Sequence, residues 1–268
     1  MSNDSLKSVY DAVYTAGEQS FHTCDNWEES LLIHRMGEPW TGKRVLEIGC
    51  GRGRLSALIA MSGAKRVWAA DYSEEAHRLA AETFCMPNLK FTKADWSMMR
   101  ILSSLRDRPS RWEAIVMQGV LEHQDDPWDT LGGMMNALSP GGILITSSPN
   151  FLNPRGFIWQ TLRILLGVPM SLTDLHYISV PDMLAWAEAH AYQIEYESCH
   201  HSWAGGDVLL SDFAKRLPNA LRDAGLPVDR VPELLDWLKT TTPYYRPEPW
   251  SGANVVYRIQ SPAPVRSH

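Results

Sequence analysis

Three acids and three glycines carry the clearest chemical signal in this chain. Gly49, Gly51 and Gly53 follow the apolar run Val45-Leu46-Glu47-Ile48, and Arg54 to Ala60 reads as the helix after them. Glycines at those positions let the backbone turn sharply and approach a ligand where a Cβ would collide. The helix start offers its free amides and positive dipole end to whatever the turn holds. Such a turn is a cofactor cradle, or a plain glycine-rich turn without a ligand. A dinucleotide fingerprint, G-x-G-x-x-G, would need glycine at 54, where Arg54 stands. The in-strand acid Glu47 also suits a cationic ligand and would repel a diphosphate. Asp71 closes a second apolar stretch, Lys65 to Asp71. A carboxylate there can accept both hydroxyls of a ribose, or it can cap the next helix, a task that suits Ser73 better. Leu89 to Asp95 repeats the pattern of a short strand closed by an acid, with Trp96 beside it.

The spacing Glu47-x-Gly49-x-Gly51-x-Gly53 resembles motif I of the class I S-adenosylmethionine (SAM)-dependent methyltransferases. The resemblance implies that the loop, Cys50 included, faces the amino-acid portion of SAM. It assigns Asp71, with Tyr72 beside it, to the ribose, and Asp95 to the adenine amino group. Trp96 then stacks on or edges the base, or stays on the rim. The stretch from Gly119-Val120-Leu121-Glu122-His123 to Pro127 is similar to V-L-E-H-x-x-D-P in the ubiquinone-biosynthesis-like branch of the family. There Gln118, Gly119 and Val120 would back the cofactor. Leu138-Ser139-Pro140-Gly141-Gly142 matches the family's L-x-P-G-G before a fifth strand. The resemblance covers residues 40–150, and the order of its motifs weighs more than any one of them.

Composition bounds the rest. The chain has 268 residues, 44% hydrophobic and 21% charged, which is the make-up of an enlarged globular domain. A net charge of −6 gives no footprint for nucleic acid or an anionic membrane. The four cysteines (24, 50, 85, 199) form no C-x-x-C pair and no zinc spacing, so they read as free thiols, and no metal is expected. No signal peptide opens the chain, and Gln160, Arg163 and Gly167 interrupt its longest apolar stretch. A cytoplasmic location is the default.

The elements that position these residues follow from periodicity. The expected architecture is α/β, a Rossmann-like doubly wound seven-stranded sheet whose last strand is antiparallel, with helical insertions over the active-site rim. Residues 1–40 form an N-terminal helical cap and residues 41–202 the SAM-binding core. Residues 203–250 are a helical insertion or lid, and 251–268 the last strand and tail. Expected helices include Glu28–Arg35, Glu74–Phe84, Pro127–Leu138, Asp182–His190, Val208–Leu217 and Val231–Thr240. Ser139–Gly142 reads as a turn, with later strands at Ile143–Ser148, Tyr192–Cys199 and Asn254–Gln260. Ligands in such sheets bind outside the carboxyl ends of the strands. The N-terminal segment (Tyr14, His22, Trp27) and the 151–180 excursion (with Asn150 at its start, His176, Tyr177) then supply substrate contacts, or simply pack on the sheet. The insertion serves as a lid or as a homodimer contact, two compatible uses.

Methyl transfer is an in-line displacement that rests on alignment and desolvation. A base is needed only where the acceptor must lose a proton, and the candidates are His176, His201 or its neighbour His200, and His123. Only one of His200 and His201 would reach the pocket if the sixth strand continued through them. His123 more readily ties its own loop together, and His176 departs from the family's H-x-x-x-F/Y-T pattern at Ile178-Ser179. The sequence therefore reads as a methyltransferase that takes SAM to S-adenosylhomocysteine (SAH) and methylates a small molecule. The acceptor is expected to be a hydroxyl oxygen of a sugar-like or natural-product substrate. The alternatives are a non-catalytic methyltransferase-like module and, further off, an NAD- or nucleotide-sugar-dependent enzyme.

Overall fold

The computed structural model describes residues 26–94, 112–168, 170 and 174–260. Seven strands build its sheet: β1 (Arg44–Ile48), β2 (Arg66–Asp71), β3 (Leu89–Lys93), β4 (Trp112–Gln118), β5 (Leu138–Pro149), β6 (Gln193–Cys199) and β7 (Asn254–Gln260). Their order is β3-β2-β1-β4-β5-β7-β6. The first five strands pair in parallel. β7 runs antiparallel to both β5 and β6, as expected of the last strand. It lies between them and not at an edge, so Val255, Val256, Tyr257 and Ile259 are buried. The winding reverses between β1 and β4, and the crevice outside the carboxyl ends there is where such sheets take ligands.

Nine α-helices are described: α1 (Trp27–Gly37), α2 (Arg54–Met61), α3 (Glu74–Thr83), α4 (Pro127–Ala137), α5 (Pro154–Leu166), α6 (Val180–Ala189), α7 (His201–Gly205), α8 (Asp207–Asp223) and α9 (Val231–Thr241). Side chains alternate between the two faces of the sheet. Leu46, Ile48, Ile115, Met117 and Leu144 share one core with residues of α4 and α6. Val45, Val67, Val116, Ile143, Ile145 and Val256 share the other with α1 and α2. Leu32 and Ile33 of α1 are buried in that second core, each contributing about 2 kcal/mol of apolar burial. A third cluster joins α5 to the insertion, through Phe151, Trp159, Leu209, Phe213, Leu217, Val231 and Leu238.

β6 ends where the sequence places its end, and two other local expectations are corrected. β6 ends at Cys199, because His200 adopts the left-handed conformation (φ 59°, ψ 49°) and its carbonyl accepts from the amides of Trp203 and Ala204, both at 3.1 Å. His201 is therefore the first residue of α7, and alternation along a strand says nothing about it. α8 runs on to Asp223 through Pro218. Its buried Leu209, Phe213 and Leu217 outweigh the roughly 3 kcal/mol that an interior proline costs. The Ser139–Gly142 turn is an excursion inside β5, since Leu138 pairs with Trp112 and the next partners are Ile143 and Ala114.

Candidate active site

The glycine turn is a closed backbone knot. The amides of Gly49 and Cys50 both donate to the carbonyl of Ala70, at 2.8 and 3.1 Å, and that of Gly53 to the carbonyl of Cys50 at 2.8 Å. Gly49, Gly51 and Gly53 have φ of 72°, 50° and 76°, a region that residues bearing a Cβ rarely adopt. A Cβ on Gly49 would also lie 2.3 Å from Val120 Cγ2, and one on Gly53 2.6 Å from Phe91 Cζ. Val120 is thereby pressed against the loop.

Asp71, at the end of β2, holds the next layer. Its Oδ2 accepts from the amide of Gly51 at 2.8 Å and its Oδ1 from that of Ser73 at 2.9 Å. Ser73 caps α3 by accepting from the amide of Ala76, so the cap falls to Ser73. Half-buried Tyr72 follows Asp71 directly. Glu47 shares the sheet face of Val45, which turns it toward α2, where Ser56 Oγ donates to it at 2.5 Å. Burial, with Asp71 close by, pushes the Glu47 carboxyl up to about 8. Glu47 thus supports the cradle from behind. Burial first, and the nearby acids second, also push the Cys50 thiol up, so this residue packs as a neutral side chain.

The carboxyl end of β4 is bound to α1. Ser30 Oγ donates to Gln118 Oε1 at 2.9 Å, and Gln118 Nε2 to the carbonyl of Asn26 at 3.3 Å. The amide of Gly119 donates to Ser147 Oγ at 3.1 Å. The first turn of α1 therefore lies over the ends of β4 and β5. Glu29 reaches on to β7, where Asn254 Nδ2 donates to its Oε2 at 2.9 Å. Glu28 accepts from the amide of His200 at 2.9 Å. Glu29 Oε1, Glu122 Oε2 and His201 Nδ1 are buried without a hydrogen-bond partner. Burial raises the carboxyl groups of both Glu29 and Glu122 above their ordinary range. Orphaned buried oxygens beside a glycine cradle suit a ligand that is cationic and carries donors, which are the properties of SAM.

The other sequence candidates scatter. The Trp27 ring lies under the Arg54 guanidinium, 4.6 Å from its centroid, which puts it beside the cradle. Asn150 is buried, with its amide donating to the carbonyls of Trp250 and Gly252 at 2.7 and 2.8 Å and its oxygen accepting from Leu152. It therefore ties the approach to β7 and has no donor left for an acceptor. Tyr177 accepts from the amide of Met170 and lies against Arg163, inside the insertion's core. His176 Nε2 contacts the carbonyl of Asp125 at 3.1 Å, while His123 Nδ1 lies 3.6 Å from Asp174. Both histidines fasten the 174–180 segment to the turn after β4, where the amides of Leu175 and His176 donate to the carbonyl of Glu122. Ligand atoms of Glu122, His123 and Asp174 lie within 4.8 Å of one another, a grouping that no spacing pattern announced. Tyr14, His22, Asp95 and Trp96 lie outside the described residues.

Sequence reasoning missed Glu29, Ser147 and Asn254. Glu28-Glu29 reads as an ordinary acidic helix start, favourable to the helix dipole, and nothing local tells that Glu29 turns inward.

The comparisons with known proteins agree with this geometry. A family model described as a methyltransferase domain matches residues 26–195. The ubiquinone biosynthesis O-methyltransferase of Xylella fastidiosa (strain 9a5c) is 33% identical over 112 residues, 42% of this chain and 44% of that protein. Its namesake in Dechloromonas aromatica is 26% identical over 151 residues, 55% of this chain and 63% of that one. The matched region thus spans less than two thirds of either relative. Among solved structures, the [4+2]-cyclase SpnF superposes with a TM-score of 0.60 at 18% identity, covering 96% of this chain and 95% of its own. A SAM-dependent methyltransferase from Mesorhizobium loti gives 0.53 at 16% identity, covering 86% and 96%. These two show the fold. With the family match extending over more than half of the residues and taking in the cradle, the chain belongs to the methyltransferase-domain family.

Proposed function

We propose that the chain transfers the methyl group of SAM to a hydroxyl oxygen of a small molecule, sugar-like or natural-product in character. The observation that carries this reading is the polar wall beside the cradle. Glu29 Oε1 and His201 Nδ1 are buried without partners near the carboxyl ends of β5 and β6 and the start of β7, and would be satisfied by a hydrogen-bonding acceptor. The relatives in Xylella and Dechloromonas, named O-methyltransferases, support the same acceptor atom.

In this reading Gly49, Cys50, Gly51 and Gly53 hold the amino-acid end of SAM, Asp71 and Tyr72 the ribose, and Asp95 and Trp96 the adenine. Gln118, Gly119 and Val120 form the wall behind, while Glu47 fixes the first turn of α2. Bound there, SAM supplies an electrophilic methyl group and leaves as SAH. Alignment and exclusion of water fall to α1 and the 150–180 segment. No helix among the described residues is long and apolar enough to cross a membrane. We also place the protein in the cytoplasm, acting on a free small molecule and not on nucleic acid, with the insertion available as a homodimer contact.

The test is incubation with methyl-labelled SAM and a panel of catechols, monosaccharides and amines, followed by mass spectrometry of products. A 14 Da gain confined to hydroxyl acceptors is expected. Gain on amines alone would overturn the acceptor assignment.

A further inference from the structure

We propose that Glu29 receives the hydroxyl proton of the acceptor, acting as the base of the reaction. This assignment rests on the hydroxyl-acceptor reading above. Glu29 stands in the first turn of α1, over the ends of β4, β5 and β7. Its Oε2 is held by Asn254 Nδ2 at 2.9 Å, while its Oε1 is buried with no hydrogen-bond partner. Ser147 and Gln118 are its other polar neighbours. Ser147 Oγ also takes the Gly119 amide, and the next residue, Val120, packs on Gly49, so a short chain of contacts links Glu29 to the cradle.

Three of the four histidines that the sequence offered as bases are engaged elsewhere. His123 faces Asp174, His176 contacts the Asp125 carbonyl, and His200 Nδ1 lies 3.3 Å from Glu28. Burial raises the Glu29 carboxyl, which brings its proton affinity closer to that of an acceptor hydroxyl. The titratable group facing it from the turn after β4 is Glu122, itself buried and raised. β4, β5 and β7 present uncharged Gln118, Ser147 and Asn254, and on α1 the neighbouring Glu28 pairs with His200. In the step, the acceptor oxygen bonds to the methyl carbon as the carbon–sulfur bond breaks. The electron pair of that bond stays on sulfur, and the hydroxyl proton passes to Glu29 Oε1 and then to solvent when product leaves.

The experiment compares wild type with Glu29→Gln, which keeps an oxygen for Asn254 but takes no proton. The probes are 3,4-dihydroxybenzoate and methyl glucoside, with kcat measured from pH 6 to 9, SAM affinity by calorimetry, and the thermal midpoint at pH 8. Expected is a fall in kcat of about a hundredfold or more, with SAM affinity within twofold and the midpoint equal or higher. A kcat within threefold of wild type would overturn the assignment. Should wild type turn over neither probe, the hydroxyl reading loses its support, and the midpoint alone decides Glu29. A lower midpoint for Glu29→Gln marks the carboxylate as a structural partner and overturns the proposal. An equal or higher one marks a group retained at the expense of stability, as the assignment requires.

Discussion

Asp71 and Glu47 show how two acids near one loop take different work from their surroundings. Asp71 bonds the amides of Gly51 and Ser73 and so stands at the mouth of the cradle, and Asp71→Ala should lower SAM affinity by about 1–3 kcal/mol. Calorimetric titration checks it, and unchanged affinity in a folded variant would remove Asp71 from the ribose. Glu47 behaves differently. Folded, it holds its proton up to about pH 8, against an ordinary value of 4.5. Between those values the native state binds more protons than the unfolded one, so stability falls as pH rises across the window. Glu47→Gln keeps an oxygen for Ser56 and should flatten that decline. Urea melts at several pH values test this, and parallel curves for variant and wild type would count against it.

At the scale of elements, the loop and the insertion each hang on one close contact. Gly49→Ala would place a Cβ 2.3 Å from Val120 Cγ2 at a φ of 72°. We expect this variant to lose SAM binding and at least about 1 kcal/mol of stability, read by calorimetry and thermal melting. The insertion is joined to α5 by a buried ion pair: Arg155 Nε lies 3.3 Å from Asp212 Oδ2, and the Arg155 guanidinium lies 4.3 Å from the Trp203 ring. Both partners are almost wholly buried. Arg155→Leu leaves Asp212 without that partner and should cost about 3–5 kcal/mol. Cleavage within 203–250 by a dilute protease should quicken, and an unchanged digestion pattern would show that the apolar cluster alone holds the insertion.

For the whole molecule, the central strands were legible as short continuous apolar runs, because β1, β4 and β5 are buried on both faces of the sheet. β7, Asn254–Gln260, falls at the bounds that the sequence predicts. The glycine turn was legible too, since positive φ at three spaced positions calls for glycine, and so was the Ser73 cap. The base was not. Histidines attract notice by residue type, yet the ring contacts of His123 and His176 are loop fastenings. Glu29 lies 225 residues from the Asn254 it binds, a separation that local pattern cannot bridge.

What the sequence determined by itself is therefore the local grammar. Turn chemistry, helix caps and the apolar period fix a strand–turn–helix with an acid at the end of the next strand, because each depends on neighbours in the chain. Tertiary structure alone decided which polar groups are left without partners. Burial of Glu29 and Glu122 arises only where α1 crosses the sheet and β7 enters between β5 and β6. Desolvation is a property of the packed whole, and it turns an ordinary surface-type acid into a candidate proton acceptor.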